Sequence, residues 1–512
     1  MNKSRFIYGS ILMVVLNLFI RIIGFTYEVL LSKLLGAEAM GFFQIALSTL
    51  MVFLIITSSG TSTAIIKLVA EQNSKNNKSN VESIYKTSLL LNLCVSIVLG
   101  IILLISAEFI AIRVFKNRDM LFGVYLLFPA IIIISLSIVL KSFYYGMKNI
   151  ITPGIAEIIE QSIRFIVVMG ILYYTYPIKP IYGAMIAILG ISIGEMFNLS
   201  WSLFAKNRLY KNKFNSNIKE GTGKSYILKI LTISLPLTIS GFFSVLLRFS
   251  NTIIIPSKLI EAGFTSSESI ATFGRIMGMT MPLVHLPFIV TSALVINLIP
   301  SLTEQVILKK YKDIKEDVAL SIKATLLISI PLTAIFISLS KSLALVLYSD
   351  PLVANFIQIM GFSTIFFALQ HNFLGIFHGL NKYIPATINR LIGMIIQVLL
   401  LFFLVGDPRF GITGIFISFY CSIFIIMVLD VFTLKKLVKL NLNYLDILGK
   451  PIFASVFMIL FIYLTSYDIE NLQNANALVF ASSLLVGTFS YIFILILTKA
   501  IPKNFFGRMF RR

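Results

Sequence analysis

Three arginines lie inside long apolar stretches of the sequence. Arg21, Arg248 and Arg275 each fall in a segment long enough to cross a membrane. An ionisable residue in mid-span costs about 2.5–3.5 kcal/mol on insertion scales, so it usually faces a cavity or a partner. A guanidinium stays charged, and its planar fork binds phosphate oxygens in pairs. The three arginines therefore predict a cavity that binds an anion such as pyrophosphate.

A second set of charged residues has the spacing of a single helix face. Its members are Glu28, on one face with Arg21 and Gly24, and Glu157, Glu160 and Arg164. Glu160 and Arg164 stand at i and i+4, where they can form an ion pair. Two interpretations stay open: the set takes part in ion coupling or gating, or it is a self-neutralised polar seam between helices.

The remaining titratable residues within apolar segments predict no catalytic chemistry. Glu195 is a further charge in mid-span, and Arg390 lies near a span end, where its side chain can reach the membrane interface. His285, His371 and His378 have no zinc spacing, so we expect the histidines to pack or to form hydrogen bonds. The two cysteines form neither a metal motif nor a disulfide framework. We expect no metal, no cofactor and no enzymatic activity, because nucleotide-binding loops and nucleophile–base motifs are also absent from the sequence.

The composition is that of an integral membrane protein. Of the 512 residues, 57% are hydrophobic and only 13% are charged, whereas about a quarter are charged in a typical soluble protein. The net charge of +21 would suggest nucleic acid in a soluble protein. Here it is better explained by Lys and Arg in cytoplasmic loops and beside anionic lipid headgroups, so we expect membrane lipids as partners and no nucleic acid.

Apolar segments of about 20 residues, the length that crosses roughly 30 Å of hydrocarbon, recur along the chain. They predict an all-α protein with about fourteen transmembrane helices: 6–31, 40–66, 87–107, 121–145, 153–174, 181–204, 227–250, 273–299, 319–339, 353–378, 384–405, 411–434, 447–465 and 477–497. The loop 205–226 is rich in Lys and Arg, whereas the loop 466–476 has neither. The positive-inside bias therefore places both termini in the cytoplasm.

An internal repeat divides the predicted spans. Matching residues recur 233 positions apart at Gly41 and Gly274, Glu71-Gln72 and Glu304-Gln305, and Gly146 and Gly379. A unit of six spans keeps its orientation in the membrane, so the halves are predicted to be parallel repeats with substrate held between them. The predicted domains are an N-terminal lobe 1–210, a basic linker 211–226, a C-terminal lobe 227–440, and 441–512 with the last two helices and a basic tail.

Short motifs at matching points of the two halves carry a family resemblance. They are Arg21–Gly24, SKLLGAE at Ser32–Glu38, Gly41–Phe43, Phe273–Pro287 and Leu298–Thr303. With the repeat and the number of spans, they resemble the polysaccharide-transporter branch of the multidrug/oligosaccharidyl-lipid/polysaccharide exporter superfamily. This branch contains stage V sporulation protein B and the lipid II flippases.

The resemblance implies a flippase of a bacterial cytoplasmic membrane. It would move an undecaprenyl-pyrophosphate-linked glycan, of the lipid II type used for peptidoglycan, to the outer leaflet by alternating access, beside cell-wall synthesis proteins. Arg21 and Arg275 match the stretches where such flippases have cavity arginines, whereas Arg248 is placed by the cavity argument alone. The family pattern has further arginines in the first two spans that this chain lacks, which leaves the glycan open.

Three alternatives remain. The chain could flip another lipid-linked polysaccharide unit, or export drugs by cation coupling with Glu28 as an ion site. It could also be a non-transporting scaffold of a wall-synthesis complex.

Overall fold

The computed structural model of the protein describes residues 3–210, 223–438, 443–466 and 477–500. Within these ranges almost every residue is helical and no β-strand occurs, which confirms the all-α prediction. Most of the predicted basic linker 211–226 and of the loop 466–476, and the basic tail after residue 500, lie outside the described residues.

The first of two compact units is Met1–Gly274. Its helices are α1 (Lys3–Ser74), α2 (Lys78–Ile105), α3 (Ala107–Arg113), α4 (Leu121–Tyr125), α5 (Leu127–Gly146), α6 (Ile151–Thr175), α7 (Pro180–Tyr210), α8 (Gly223–Glu261) and α9 (Ser266–Gly274), with a 3₁₀ turn at Arg118–Met120. Both α8 and α9 pack on α1. The lobe boundaries predicted at 210 and 227 stay predictions.

The second unit is Arg275–Arg512. Its helices are α10 (Met281–Val284), α11 (Phe288–Ile307), α12 (Tyr311–Ser338), α13 (Ser340–Leu343), α14 (Val353–Gly361), α15 (Ser363–Gly379), α16 (Tyr383–Leu404), α17 (Gly411–Leu437), α18 (Lys450–Ser466) and α19 (Ala477–Leu497). Three π-helices occur among them, at Arg275–Thr280, Ala344–Tyr348 and Leu445–Gly449.

A glycine divides α1 into the first two predicted spans. A straight helix of 72 residues would be about 108 Å long, several times the thickness of the hydrocarbon core. At Gly36 the backbone leaves the helical region, with φ 79° and ψ 177°. A side chain is disfavoured at this positive φ, so the SKLLGAE motif contains glycine where the helix must break.

The eighth predicted span, 273–299, is broken, as prolines inside a span lead one to expect. It consists of the end of α9, a π-helix, α10 and α11, and a turn at 285–287 separates the last two. Pro282 and Pro287 flank this break, and each removes a backbone donor and crowds the preceding turn. Pro236 and Pro331 lie inside continuous helices instead.

The predicted number of fourteen spans is not confirmed. Among the described residues, eleven helices are long and apolar enough to cross a membrane, or twelve if α14 and α15, bent by 51°, form one broken span. Part of the difference from fourteen arises because α1 is counted as one span, although the break at Gly36 divides it into two.

The repeat predicted from the sequence is visible in equivalent contacts. A Cβ atom added to Gly146 would lie 2.7 Å from Val69 Cβ, and one added to Gly379 would lie 2.9 Å from Leu302 Cβ. The two glycines are 233 residues apart, as are Val69 and Leu302. Each unit therefore brings the same pair of helices together at a glycine.

The buried cores of the two units follow the same offset. On α1, α2 and α5 and their counterparts α11, α12 and α15, seven pairs of residues 233 positions apart are buried in both units: Ile65 and Leu298, Val69 and Leu302, Val81 and Ile314, Tyr85 and Val318, Leu140 and Phe373, Phe143 and Ile376, and Tyr144 and Phe377. The side chains differ in size, but each position faces the interior in both units. The duplicated sequence therefore builds one packing arrangement twice.

Because Gly146 and Gly379 are equivalent, we expect Gly146→Ala and Gly379→Ala each to destabilise the protein by about 1–3 kcal/mol through overpacking. Gly170→Ala is the matched control, since no atom lies within 4 Å of an added Cβ there. It should be neutral or stabilising by up to about 1 kcal/mol, the helix-propensity difference. Thermal unfolding midpoints in detergent measure all three variants. A loss in Gly170→Ala as large as the losses in Gly146→Ala and Gly379→Ala would contradict close packing at the two equivalent glycines.

Candidate functional site

A polar cavity lies within the first unit where α1, α5, α6 and α7 meet. Its volume is ≈ 130 Å³, enough for a few water molecules or a small hydrated ion. The lining residues are Ile20, Ser137, Ile138, Lys141, Glu157, Glu160, Gln161, Glu195 and Asn198. Four helices of largely apolar sequence thus surround a pocket in which most side chains are polar or charged.

Glycines on α7 let the walls of this cavity approach closely. A Cβ added to Gly194 would lie 2.9 Å from the backbone oxygen of Glu160, and one added to Gly190 would lie 2.2 Å from Val168 Cγ2. Small residues at i and i+4 allow two membrane helices to pack backbone against backbone. The close contact brings the polar side chains of α6 and α7 within hydrogen-bond distance of each other.

The predicted ion pair of α6 is confirmed. Arg164 donates to Glu160 Oε1 at 2.5 Å, and both side chains are largely buried. Asn198 of α7 donates to the other carboxylate oxygen at 2.9 Å, and Gln161 donates to Oε1 at 3.3 Å. Glu160 therefore has a charged partner on its own helix and a neutral one on the next.

A second ion pair joins α5 to α6. Lys141 of α5 pairs with Glu157 of α6, and both side chains line the cavity. Lys141 belongs to no motif in the sequence, although it is a charged residue inside the predicted span 121–145. That position was the available signal, and only the structure shows that its partner is on a different helix.

One carboxylate of the cavity, Glu195, forms no ion pair within the described part of the chain. The ion pairs match Glu157 with Lys141 and Glu160 with Arg164. Glu195 lies within electrostatic range of both cations and within hydrogen-bond range of Ser137, but its Oε2 is buried without a hydrogen-bond partner among the described residues. The hydroxyl of Tyr27 and Nε of Arg164 are also buried without partners among the described residues. Water, a proton or a small cation could satisfy these groups.

Glu28 belongs to the same neighbourhood. Glu28 lies within electrostatic range of Arg164. Gly24 is on the same predicted helix face, and a Cβ added to it would lie 3.8 Å from Gln161 Oε1. The structure thus brings together Glu28, Glu157, Glu160 and Arg164, as their spacing suggested. Ion coupling and a self-neutralised polar seam both stay predictions for this cluster.

The three predicted anion-binding arginines have different surroundings. Arg21 follows Ile20, a cavity-lining residue, and its side chain is exposed, as is that of Arg248 on α8. Arg275 is the first residue of the second unit and donates through Nε to Asp350 Oδ2 at 2.7 Å. The convergence of the three on one anion stays a prediction.

Two histidines of the second unit, His285 and His371, stack on the ring of Phe288. The rings of His285 and Phe288 are 4.8 Å apart, and those of Phe288 and His371 are 4.7 Å apart, both nearly parallel. His371 Nδ1 also lies 3.0 Å from Thr291 Oγ1. These contacts agree with the expected packing and hydrogen-bonding role.

Comparison with known proteins finds two family models that match the chain. The model described as "Polysaccharide biosynthesis protein" matches residues 6–306, more than half of the chain. The model described as MatE matches residues 262–403.

Similar proteins are found in Bacillus subtilis (strain 168). Stage V sporulation protein B is 25% identical over 86% of this chain and 86% of its own length. Lipid II flippase MurJ is 21% identical over 78% of this chain and 77% of its own.

Solved structures share the fold. A lipid II flippase MurJ in an inward closed conformation has a TM-score of 0.70 at 16% identity, covering 96% of this chain and 99% of its own. An inward-facing MATE family multidrug resistance transporter of the MOP superfamily has a TM-score of 0.65 at 13% identity, covering 83% and 98%.

The buried pair of α6 generates a stability prediction. Arg164→Met alone should destabilise the protein by about 3–5 kcal/mol, because it leaves the Glu160 carboxylate without its cation. Adding Glu160→Gln should restore most of that loss. Lys75→Met is the matched control, since it breaks an i, i+4 pair with Glu71 whose side chains are 61% and 47% exposed, worth at most about 0.5 kcal/mol. Unfolding midpoints in detergent decide, and equal losses in the single and double variants would contradict the prediction.

Proposed function

This chain belongs to the polysaccharide biosynthesis protein family, and from that premise we propose that it is a flippase for an undecaprenyl-pyrophosphate-linked glycan. We take the cargo to be a lipid II-type peptidoglycan precursor, moved from the inner to the outer leaflet of a bacterial cytoplasmic membrane with both termini inside. Cell-wall synthesis proteins would supply and use this cargo. The chain itself catalyses no reaction and needs no cofactor.

The observation that carries this proposal is the charged cavity of the first unit. Lys141, Glu157, Glu160 and Glu195 line a pocket walled by helices long enough to cross a membrane. Charges at such depth are expensive and are kept where they act on a substrate or a coupling ion. A scaffold that only binds other proteins would have no need of them.

The arginines support a phosphate-bearing cargo. Arg21 and Arg248 have exposed side chains on helices of the first unit, and Arg275 opens a π-helix of the second. Guanidinium groups bind phosphate oxygens in a bidentate manner and do not lose their charge. A relative named lipid II flippase handles a cargo with this chemistry, so we assign Arg21, Arg248 and Arg275 to pyrophosphate.

We further propose that the cavity couples transport to an ion gradient. Glu195 is the carboxylate that the two ion pairs leave unmatched, so a proton or a monovalent cation can neutralise it there. Glu28, Glu157, Glu160 and Arg164 would transmit this change to the packing of α1 and α6. Neutralisation of Glu195 would then favour one of the two access states.

A cation-coupled drug exporter is the second candidate function. The MatE match over residues 262–403 and the position of Glu28 near Arg164 favour it. A flippase for another lipid-linked polysaccharide keeps the same mechanism with a different sugar. The relative named stage V sporulation protein B makes a sporulation pathway one setting for either glycan.

Arg21→Ala and Arg275→Ala should each reduce flipping of labelled lipid II in liposomes by at least about tenfold, because each removes a phosphate ligand. A tenfold change corresponds to about 1.4 kcal/mol, close to the lower end of the contribution of one hydrogen bond to a charged group, about 1.5–3 kcal/mol. Arg→Lys should recover only part of the rate, since a point charge replaces a fork. Exposure of the label to a membrane-impermeant reagent measures the rate.

Arg409→Ala is the matched control, because Arg409 lies on the loop after α16 and its side chain is 84% exposed. Its rate should equal that of the wild type. Normal flipping by both Arg21→Ala and Arg275→Ala would contradict the proposal that these arginines bind the anion. Movement of another undecaprenyl-linked glycan but not of lipid II would change the cargo, and export of a cationic dye alone would favour the drug exporter.

Glu195→Gln should abolish the response of flipping to an imposed gradient while leaving binding of the lipid unchanged, because the amide takes up neither a proton nor a cation. Rates are compared in liposomes with a pH gradient, a Na⁺ gradient or neither. Glu108→Gln, which alters an exposed carboxylate paired with Arg118, is the control and should respond like the wild type. A gradient response that survives in Glu195→Gln would place coupling elsewhere.

A further inference from the structure

An ion pair in the second unit joins two π-helices. Arg275 is the first residue of one, Arg275–Thr280, and Asp350 follows the other, Ala344–Tyr348, by two residues. The chain turns between them at Ser349, which has a φ of 54°. π-Helices are rare, and those that occur are often at functional sites. Two of them beside one ion pair therefore suggest that this pair has a function.

Two direct contacts hold these segments together. Arg275 Nε donates to Asp350 Oδ2 at 2.7 Å, and the hydroxyl of the buried Tyr348 donates to the backbone oxygen of Met279 at 2.7 Å. Asp350 is itself oriented by its own loop, since Oδ1 accepts a bond from the Leu352 amide at 3.0 Å. The carboxylate is therefore presented to Arg275 by a fixed backbone.

The pair is only partly shielded. The side chains of Arg275 and Asp350 are 19% and 17% exposed, so neither is sealed into a dry core. An anion that reaches Arg275 meets a carboxylate already in place. Carboxylate and phosphate oxygens bind a guanidinium with the same geometry, so the two ligands compete for the same donors.

We propose that Asp350 is an internal competitor that takes Arg275 back from the cargo pyrophosphate and so promotes release. This inference rests on the proposed function, in which Arg275 binds pyrophosphate. Asp350 lies between α13 and α14, on the loop after the predicted ninth span, which the positive-inside bias places outside. The exchange of ligands would then occur on the side where the flipped lipid leaves.

Competition has a consequence that a structural ion pair does not. If Asp350 only stabilises the fold, its removal lowers the unfolding midpoint and leaves pyrophosphate binding unchanged or weaker. If Asp350 competes, its removal strengthens binding and slows turnover, because release becomes the slow step. The half-saturating concentration and the maximal rate should then both fall.

The test uses Asp350→Asn in the full chain, with undecaprenyl pyrophosphate in nanodiscs as the binding probe and labelled lipid II in liposomes for flipping. We expect about tenfold tighter binding and a several-fold lower maximal flipping rate. Asp350→Glu should return both values towards the wild type. Asp407→Asn is the matched control, because Asp407 is a loop carboxylate whose pKa is lowered by hydrogen bonds from Arg409; it should change neither value.

Arg275→Ala and the double variant separate the failure of this inference from that of the proposed function. Weaker binding in Arg275→Ala, with the gain from Asp350→Asn lost in the double variant, supports competition. Unchanged or weaker binding in Asp350→Asn, beside a loss in Arg275→Ala, overturns competition and leaves the arginine site standing. Wild-type binding in Arg275→Ala removes the arginine site itself, and the competition with it.

Discussion

A charged side chain within a lipid bilayer must be paired or solvated inside the protein, because hydrocarbon supplies neither counter-ions nor hydrogen bonds. The first unit meets this constraint with ion pairs on and between helices, Arg164 with Glu160 and Lys141 with Glu157. The close packing of α6 on α7 at Gly190 and Gly194 follows the same need, since it brings Asn198 to the Glu160 carboxylate. A carboxylate outside these two ion pairs, such as Glu195, is therefore the group best placed to bind a proton or a cation.

The duplicated halves share packing but not chemistry. Buried positions recur 233 residues apart in both units, whereas the charged positions of α6 have neutral counterparts. Pro153 near the start of α6 corresponds to Pro385 in α16, 232 residues on, and at this offset Glu157 corresponds to Asn389. Asn389 donates to Asp430 at 2.9 Å, a carboxylate–amide contact where the first unit has a carboxylate–ammonium pair. Packing thus tolerates duplication, while the polar groups were free to diverge and to assign different tasks to the two units.

The second unit concentrates its irregular backbone around Arg275. Proline interrupts the eighth span at 285–287, and π-helices precede this break and the Asp350 loop. Non-helical backbone at membrane depth is tolerated only where protein or water covers it. The Tyr348 hydroxyl, bonded to the Met279 carbonyl, supplies one such cover. An ion pair set among these segments can exchange partners without unfolding a regular helix.

Sequence by itself determined the helical class, the separation of the first two spans between residues 31 and 40, the 233-residue repeat and the Glu160–Arg164 pair. These are properties of periodicity and of neighbours along one helix, where an offset of four residues is also a distance in space. Only the tertiary structure decided that Lys141 reaches Glu157, that Asn198 reaches Glu160 and that Asp350 occupies Arg275. Those contacts depend on the rotation, depth and bending of separate helices, which side-chain packing sets and no local pattern encodes.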